Sequence, residues 1–179
     1  MEVRGVTLEH ASMSHSEELF LLIHGNREYL RCWLPWVDGV TSEEDTSGFI
    51  SKAVTQRESG LGPNYFVMLN GEMAGMAGFH PIDWRNRNAE VGYWIGEKFT
   101  GKGLATASVA RLLQEGFDQL NLNRIEIRCA SGNLSSIAVA RRLGLVYEGT
   151  LREEEWLYRR FVDHHVYSIL QREFSVGND

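Results

Sequence analysis

An apolar run, Ala89 to Ile95, is followed by a turn punctuated by Gly96, Gly101 and Gly103. From Ala105 the positions Val109, Leu112, Leu113, Gly116, Phe117 and Leu120 then keep helical spacing. The run has the length of a strand and the stripe that of a long helix, so the chain must pass from one to the other through a segment poor in side chains. Glycine allows a backbone to come close to a ligand. The first amides of a helix have no acceptor within it and carry the positive end of its dipole. Strand, glycine turn and helix start together predict a cradle for an anion such as a pyrophosphate.

Two phosphate loops with known mechanics do not fit this segment. A Walker A loop needs Gly-Lys followed by Ser or Thr, whereas Gly101-Lys102 is followed by Gly103 and the earlier glycine of the motif is missing. A dinucleotide fingerprint needs glycine or alanine where Thr106 stands, and its acidic partner should end a second strand, yet Asp118 falls on the helix.

The rest of the chain alternates helices and strands. Residues 2 to 9 read as a first strand. Ser14 with Glu17 forms a capping box before the stripe Leu19, Leu22, Ile23, and Asn26 to Trp33 reads as a short helix stopped by Pro35. Thr41 with Glu44, or Ser42 with Asp45, opens a third helix carrying Phe49, Ile50, Ala53 and Val54. Tyr65 to Leu69, then Asn70-Gly71, then Met73 to Phe79 predicts a hairpin, because Asn-Gly supplies the positive φ values of a type I′ turn. After a polar loop at 83 to 88 comes the strand 89 to 95, with Gly92 as a candidate bulge. Arg124 to Cys129 reads as a strand, Ser135 or Ser136 to Leu143 as a helix ended by Gly144, and the C-terminal third as three more strands.

A chain of 179 residues is the size of one domain, here 1–179, and can bury a core without staples. A net charge of −6 excludes a general binder of nucleic-acid backbones, which needs Lys and Arg to displace counterions, and suits a cationic amine substrate. Cys32 and Cys129 stand far apart, with no CxxC pair and no nearby His as a second ligand. This predicts a reduced compartment and no metal site. The start of the chain lacks a signal-peptide pattern. The longest apolar runs, Leu19 to Ile23 and Tyr65 to Leu69, fall far short of the roughly 18 residues that span a bilayer. The expectation is a cytoplasmic protein with neither nucleic acid nor membrane among its partners; a homo-oligomer is left open.

The segment Thr100-Gly101-Lys102-Gly103-Leu104-Ala105 is similar to the acetyl-CoA loop of the GNAT acetyltransferases, Gln/Arg-x-x-Gly-x-Gly/Ala, and departs from it only at Thr100. Around it stand Asn26-Arg27-Glu28-Tyr29-Leu30 with Trp33-Leu34-Pro35-Trp36, and Glu90-Val91-Gly92-Tyr93-Trp94-Ile95. Further on come Asn133-Leu134-Ser135-Ser136-Ile137-Ala138 with Arg141-Arg142-Leu143-Gly144-Leu145, then Glu148-Gly149, Leu151-Arg152-Glu153-Glu154-Glu155-Trp156, Asp163 and Tyr167-Ser168-Ile169-Leu170. In this order and spacing the chain resembles the RimJ/RimL branch of the GNAT superfamily, the N-terminal acetyltransferases of ribosomal proteins.

The resemblance implies a mixed α/β (α+β) fold, with a mostly antiparallel seven-stranded sheet flanked by helices and splayed between strands 89 to 95 and 124 to 130. It implies acetyl-CoA as acetyl-donor cosubstrate in that split. The pantetheine would pair with the backbone of Val91, Gly92, Tyr93 and Trp94. The pyrophosphate would meet the amides of Gly101, Gly103 and Ala105 in the turn that also holds Thr100, Leu104 and Thr106. Lys98, Lys102 and Arg142 are the candidate phosphate cations, and Asn133 either holds the pantetheine arm or caps the next helix.

The same resemblance implies transfer of acetyl to a primary amine by direct attack in a ternary complex, with the α-amine of a ribosomal protein as acceptor. A polyamine, an antibiotic or another small amine is the alternative acceptor, and an acetyl-CoA-binding sensor the alternative without catalysis. An α-amine titrates at about 7.7 to 8.0 against about 10.4 for lysine, so one carboxylate working through water would deprotonate it. Glu155 stands where the family places its catalytic glutamate. If 152 to 156 is a strand, Glu153 shares its face and raises its pKa. Ser136 matches the family serine proposed to protonate the thiolate of CoA, with helix capping as its alternative role. The tyrosine that many other GNAT enzymes use is replaced by Ala140. A backbone amide at Val91 to Tyr93 would hold the oxyanion. Trp33 and Glu90 are assigned to the acceptor side. His164 and His165, being adjacent, cannot share a strand face and read as structural, and Cys129 reads as core packing.

Overall fold

The computed structural model describes residues 3–174. The elements are β1 (Val6–His10), α1 (Ser16–Gly25), α2 (Arg27–Leu30), α3 (Glu43–Glu58), β2 (Asn64–Leu69), β3 (Glu72–Phe79), β4 (Asn88–Ile95), α4 (Leu104–Gln114), β5 (Arg124–Ala130), α5 (Leu134–Arg142), β6 (Val146–Leu157) and β7 (Arg160–Leu170). The seven strands form one sheet in the order β1-β2-β3-β4-β5-β7-β6, antiparallel except for β4 and β5. Those two pair only at Asn88↔Arg124, Ala89↔Ile125 and Glu90↔Glu126, then part. The expected split is therefore present in the middle of the sheet.

Local chemistry explains the elements. Asn70 and Gly71 both have positive φ, 52° and 82°, as the β2–β3 hairpin requires. Of the two alternatives for α3, Ser42 with Asp45 is realised. The Asp45 carboxylate accepts the amides of Thr41 at 2.8 Å and Ser42 at 2.9 Å, and those bonds hold it below the usual carboxylate range. After Gln114 the long helix widens into a π-helical turn, Glu115–Gln119. There Gly116 lets the helix press on β5, since a Cβ would lie 2.5 Å from Ile125 Cδ1.

Four expectations are corrected. Ser14 does not cap α1, because a 3-10 turn at Met13–His15 precedes the helix and the Ser14 hydroxyl bonds Ser12 Oγ at 3.0 Å instead. The short helix after Asn26 ends at Leu30, and Pro35–Gly39 forms a 3-10 turn. Gly92 is no bulge but pairs regularly with Gly78, and its missing side chain makes room for the His80 ring, whose Nε2 would lie 3.0 Å from a Cβ. The C-terminal third holds two long strands rather than three. What reads as a break in β6 is a shift of register between Leu151 and Glu155, with Glu153 left-handed at φ 53°.

Helices cover the sheet unequally. The larger apolar cluster joins Ala89, Val91, Ile125, Ile127 and Tyr167 to Leu112, Leu113, Phe117, Ile137 and Ala140 of the α4/α5 side. A second cluster packs Leu19, Ile23 and Ile50 of α1 and α3 on Phe66, Met68, Met73 and Met76 of β2 and β3. On this second side, β5, β7 and β6 carry charge: Arg124 bonds Glu126 and Glu148, and Ser168 donates to Glu148 at 2.6 Å.

Asn133 caps α5 by accepting the Ser136 amide at 3.1 Å. Losing such a cap typically costs about 1 kcal/mol, which in a domain of this size is a fall of about 2–4 °C in Tm. Asn133→Ala is therefore expected to melt lower by that margin in a calorimetric scan. An unchanged Tm would deny the cap any weight.

Candidate active site

A cavity of about 950 Å³ runs from the split between β4 and β5 to the start of α4. Its floor includes Tyr93, Trp94 and Ile95, one end is the turn Thr100 to Thr106, and the opposite wall is α5 with Asn133, Ser136 and Arg142. Gly101 and Gly103 hold φ values of 73° and 80°, conformations that favour glycine, and Gly103 caps α4. The first turn of α4 contains no acidic residue, so its unpaired amides face the cavity without a competing carboxylate. The Arg142 guanidinium reaches over this turn and donates to Thr106 Oγ1 at 2.8 Å. The volume, the amides and the cation suit an elongated ligand with a phosphorylated end.

In the split itself, Tyr93 and Ser136 share a hydrogen bond 2.7 Å long that bridges β4 to α5. Burial pushes the Tyr93 hydroxyl above the ordinary tyrosine range, so it stays protonated at neutral pH. Ser136 is not the cap of α5, a place Asn133 takes, and it lines the cavity. Cys129 lies beneath, buried, with its thiol pushed up by that burial.

A second cavity, of about 310 Å³, is walled by Trp33, the end of β5 from Ala130 to Gly132, and Arg160 to Asp163 of β7. Trp33 lines both cavities, and its ring rests on Gly132, where a Cβ would stand 3.1 Å from Cη2. Asn26 ties α1 to the turn after β4: its Nδ2 donates to the Leu22 carbonyl and its Oδ1 accepts the Glu97 amide, both at 2.8 Å. Glu155 pairs in the ladder with Val162, which lines this second cavity, and its Oε2 lies 3.1 Å from His164 Nε2. Glu90 lies on the same face, 3.5 Å from Arg128 and 3.9 Å from His80, with burial raising its carboxyl above the usual range.

Most of the residues singled out from the sequence thus converge on two adjoining spaces. Lys98, Val91 and Gly92 do not line the larger cavity, and Glu90 and Glu155 line neither of the two. Lys98 is engaged by Glu72 and leans on the Phe99 ring. The Val91 side chain is buried in the core, and Gly92 turns toward His80. Glu153 does not share a simple strand face with Glu155, because its left-handed backbone interrupts the alternation. His164 and His165 separate as expected: His165 packs edge-on against Tyr147 at 5.2 Å. Among the described residues no group of three or more His, Cys, Asp or Glu stands together as a metal site.

Sequence reasoning missed Ser135, Ala138 and Val139 in the cavity wall, although with Arg142 they keep the i, i+3, i+4, i+7 spacing of one helix face. It also missed Tyr29, Leu30 and Leu34 beside Trp33. The links Tyr93–Ser136 and Glu155–His164 join distant parts of the chain and leave no local signal.

A family model for the acetyltransferase (GNAT) domain matches residues 6–146. The ribosomal-protein-serine acetyltransferase of Escherichia coli (strain K12) is 30% identical over 155 residues, 87% of each chain. Among solved structures, the chain superposes on a RimL ribosomal L7/L12 α-N-protein acetyltransferase in complex with coenzyme A. The TM-score is 0.91 and the identity 30%, covering 94% of this chain and 96% of the other. The microcin C7 self-immunity acetyltransferase MccE, in complex with acetyl-CoA and AMP, gives a TM-score of 0.89 at 31% identity over 93% of each chain.

Proposed function

The chain belongs to the GNAT acetyltransferase family and as a member is an acetyl-CoA-dependent N-acetyltransferase; we propose that its acceptor is the α-amine of a protein N-terminus, in particular of a ribosomal protein. The observation that carries this reading is the meeting of two cavities at Trp33, one built for the donor and the other beside Glu155. The end of β5 and the start of β7 wall the second cavity, which suits an extended peptide lying along them. The relative from Escherichia coli, by its name, acetylates a ribosomal protein, and this supports the same acceptor class here.

In the proposed reaction the neutral amine enters from the second cavity and attacks the thioester carbonyl of acetyl-CoA seated in the first. The nitrogen–carbon bond forms as the amine proton passes to Glu155, directly or through one water. A backbone amide of β4, freed where the strands part, holds the oxyanion. As the carbon–sulfur bond breaks, Ser136 gives its proton to the thiolate. Tyr93, protonated and 2.7 Å away, keeps the serine oriented and can replace that proton. A free thiol titrates near 8.5, so this last help is small. Thr100 to Thr106, Asn133 and Arg142 hold the donor, and Trp33 divides donor from acceptor.

An acetyl-CoA consumption screen over ribosomal-protein N-terminal peptides, polyamines and aminoglycosides tests the acceptor. Turnover on peptides above that on the other amines is expected. Turnover confined to polyamines or aminoglycosides would replace the acceptor and leave the donor half standing.

A further inference from the structure

We infer that His164 is the positioning partner of Glu155 and the second resting place of the proton that leaves the acceptor amine. The inference rests on Glu155 being the base. It starts from the register of β6 against β7. Leu151 pairs with His164, so a regular ladder would next set Glu153 opposite Val162, but Glu155 stands there. Two extra residues are taken up in the bulge, where Glu153 is left-handed at φ 53° and its amide is fastened to Asp163 Oδ1 at 2.8 Å. Bulges of this kind re-aim a side chain. Here the bulge delivers the Glu155 carboxylate to the imidazole, 3.1 Å away, on the face that carries the second cavity.

The surroundings suit a proton shared by the pair. His164 is 18% and Glu155 30% exposed, so the pair is held by protein yet open to water. The charged groups on the same face are Glu90 of β4, Arg124, Glu126 and Arg128 of β5, and Glu148 and Glu154 of β6, with His80 behind Glu90. Arg128 is paired first with Glu126, at 2.7 Å, and from there reaches Glu90 at 3.5 Å and Glu154 at 4.0 Å.

An α-ammonium titrates at about 7.7 to 8.0, a carboxylic acid at about 4.3 and an imidazolium at about 6.5, so a proton left on a lone carboxylate sits well uphill of its origin. An imidazole narrows that gap. With the histidine hydrogen on Nδ1, the proton passes from nitrogen to Glu155, and the carboxylic acid so formed donates to His164 Nε2 and hands the proton on. Glu155 returns to carboxylate and His164 becomes imidazolium, which releases the proton to water after the amide product has left. His165 cannot take this part: its ring faces the α5 side, and its Nδ1 is buried without a partner among the described residues.

His164→Gln keeps a hydrogen-bonding side chain beside Glu155 but cannot carry a proton. On an N-terminal peptide, kcat is expected to fall about tenfold or more with KM for acetyl-CoA unchanged, and the rising limb of the pH profile to move to lower pH. Activity within twofold of the parent, or a fall without movement of that limb, overturns the inference. The comparison with Glu155→Gln separates the two claims: an active Glu155→Gln enzyme removes the base itself, whereas an inactive one beside an unimpaired His164→Gln leaves Glu155 acting alone. Should His164→Gln fail to fold, the imidazole of the parent protein is followed by NMR. Its Nε2 resonance is expected to move when Glu155 is replaced by Gln, and an unmoved resonance overturns the pairing.

Discussion

Replacing Glu155 by Gln is expected to lower kcat/KM by roughly 10² or more, the span that general-base catalysis typically supplies. The amide has the shape of the carboxylate and can still meet His164 across the 3.1 Å gap, so the bulge and ladder of β6 should persist. What it lacks is a basic oxygen. Glu155 is not part of the donor cavity wall, so coenzyme A should bind the variant as it binds the parent. Steady-state kinetics with calorimetric titration of coenzyme A checks both halves. A fall of less than tenfold would remove Glu155 as base.

Gly103→Asp should act on the opposite half of the site and abolish donor binding. Gly103 sits at φ 80° as the cap of α4, next to amides that have no acceptor within the helix. Aspartate is among the few residues that tolerate left-handed backbone and is a good helix cap, so the fold should survive. Its carboxylate would then occupy the anion's place and repel the pyrophosphate. Titration calorimetry should show no heat of coenzyme A binding to a protein that still melts cooperatively. Unchanged affinity would overturn the assignment of the Gly101–Gly103 turn.

Most of the local signals in the sequence are realised in the fold. The Asn70-Gly71 hairpin, the cap of α3 and the strand–glycine–helix passage at 89 to 105 each depend on residues within one or two turns of one another; the first and last stand as read, and of the two caps offered for α3 the Ser42–Asp45 one forms. Apart from Ser14, whose hydroxyl turns to Ser12 instead of capping α1, failures occur where a neighbour from elsewhere decides. Gly92 looks like a bulge until His80 is seen to need its space, and Lys98 looks like a phosphate ligand until Glu72, across the β3 edge, claims it. The bulge that re-aims Glu155 is hidden among polar residues, Arg152 to Glu154, whose alternation reads equally well as a straight strand. Family resemblance supplied Glu155 and Ser136; their partners His164 and Tyr93 emerged only from the packing of β7 and β4.

Trp33 at the boundary of two cavities gives the account its geometry: donor on the α4/α5 side, acceptor on the side of Glu155. The most direct test uses one peptide that offers both a free α-amine and a lysine, incubated with acetyl-CoA and the protein, with the acetylated position located by tandem mass spectrometry. The account predicts a single acetyl group on the α-nitrogen, absent when Glu155→Gln replaces the parent. Acetylation of the lysine side chain, or no transfer to the peptide at all while a polyamine is acetylated, would contradict it.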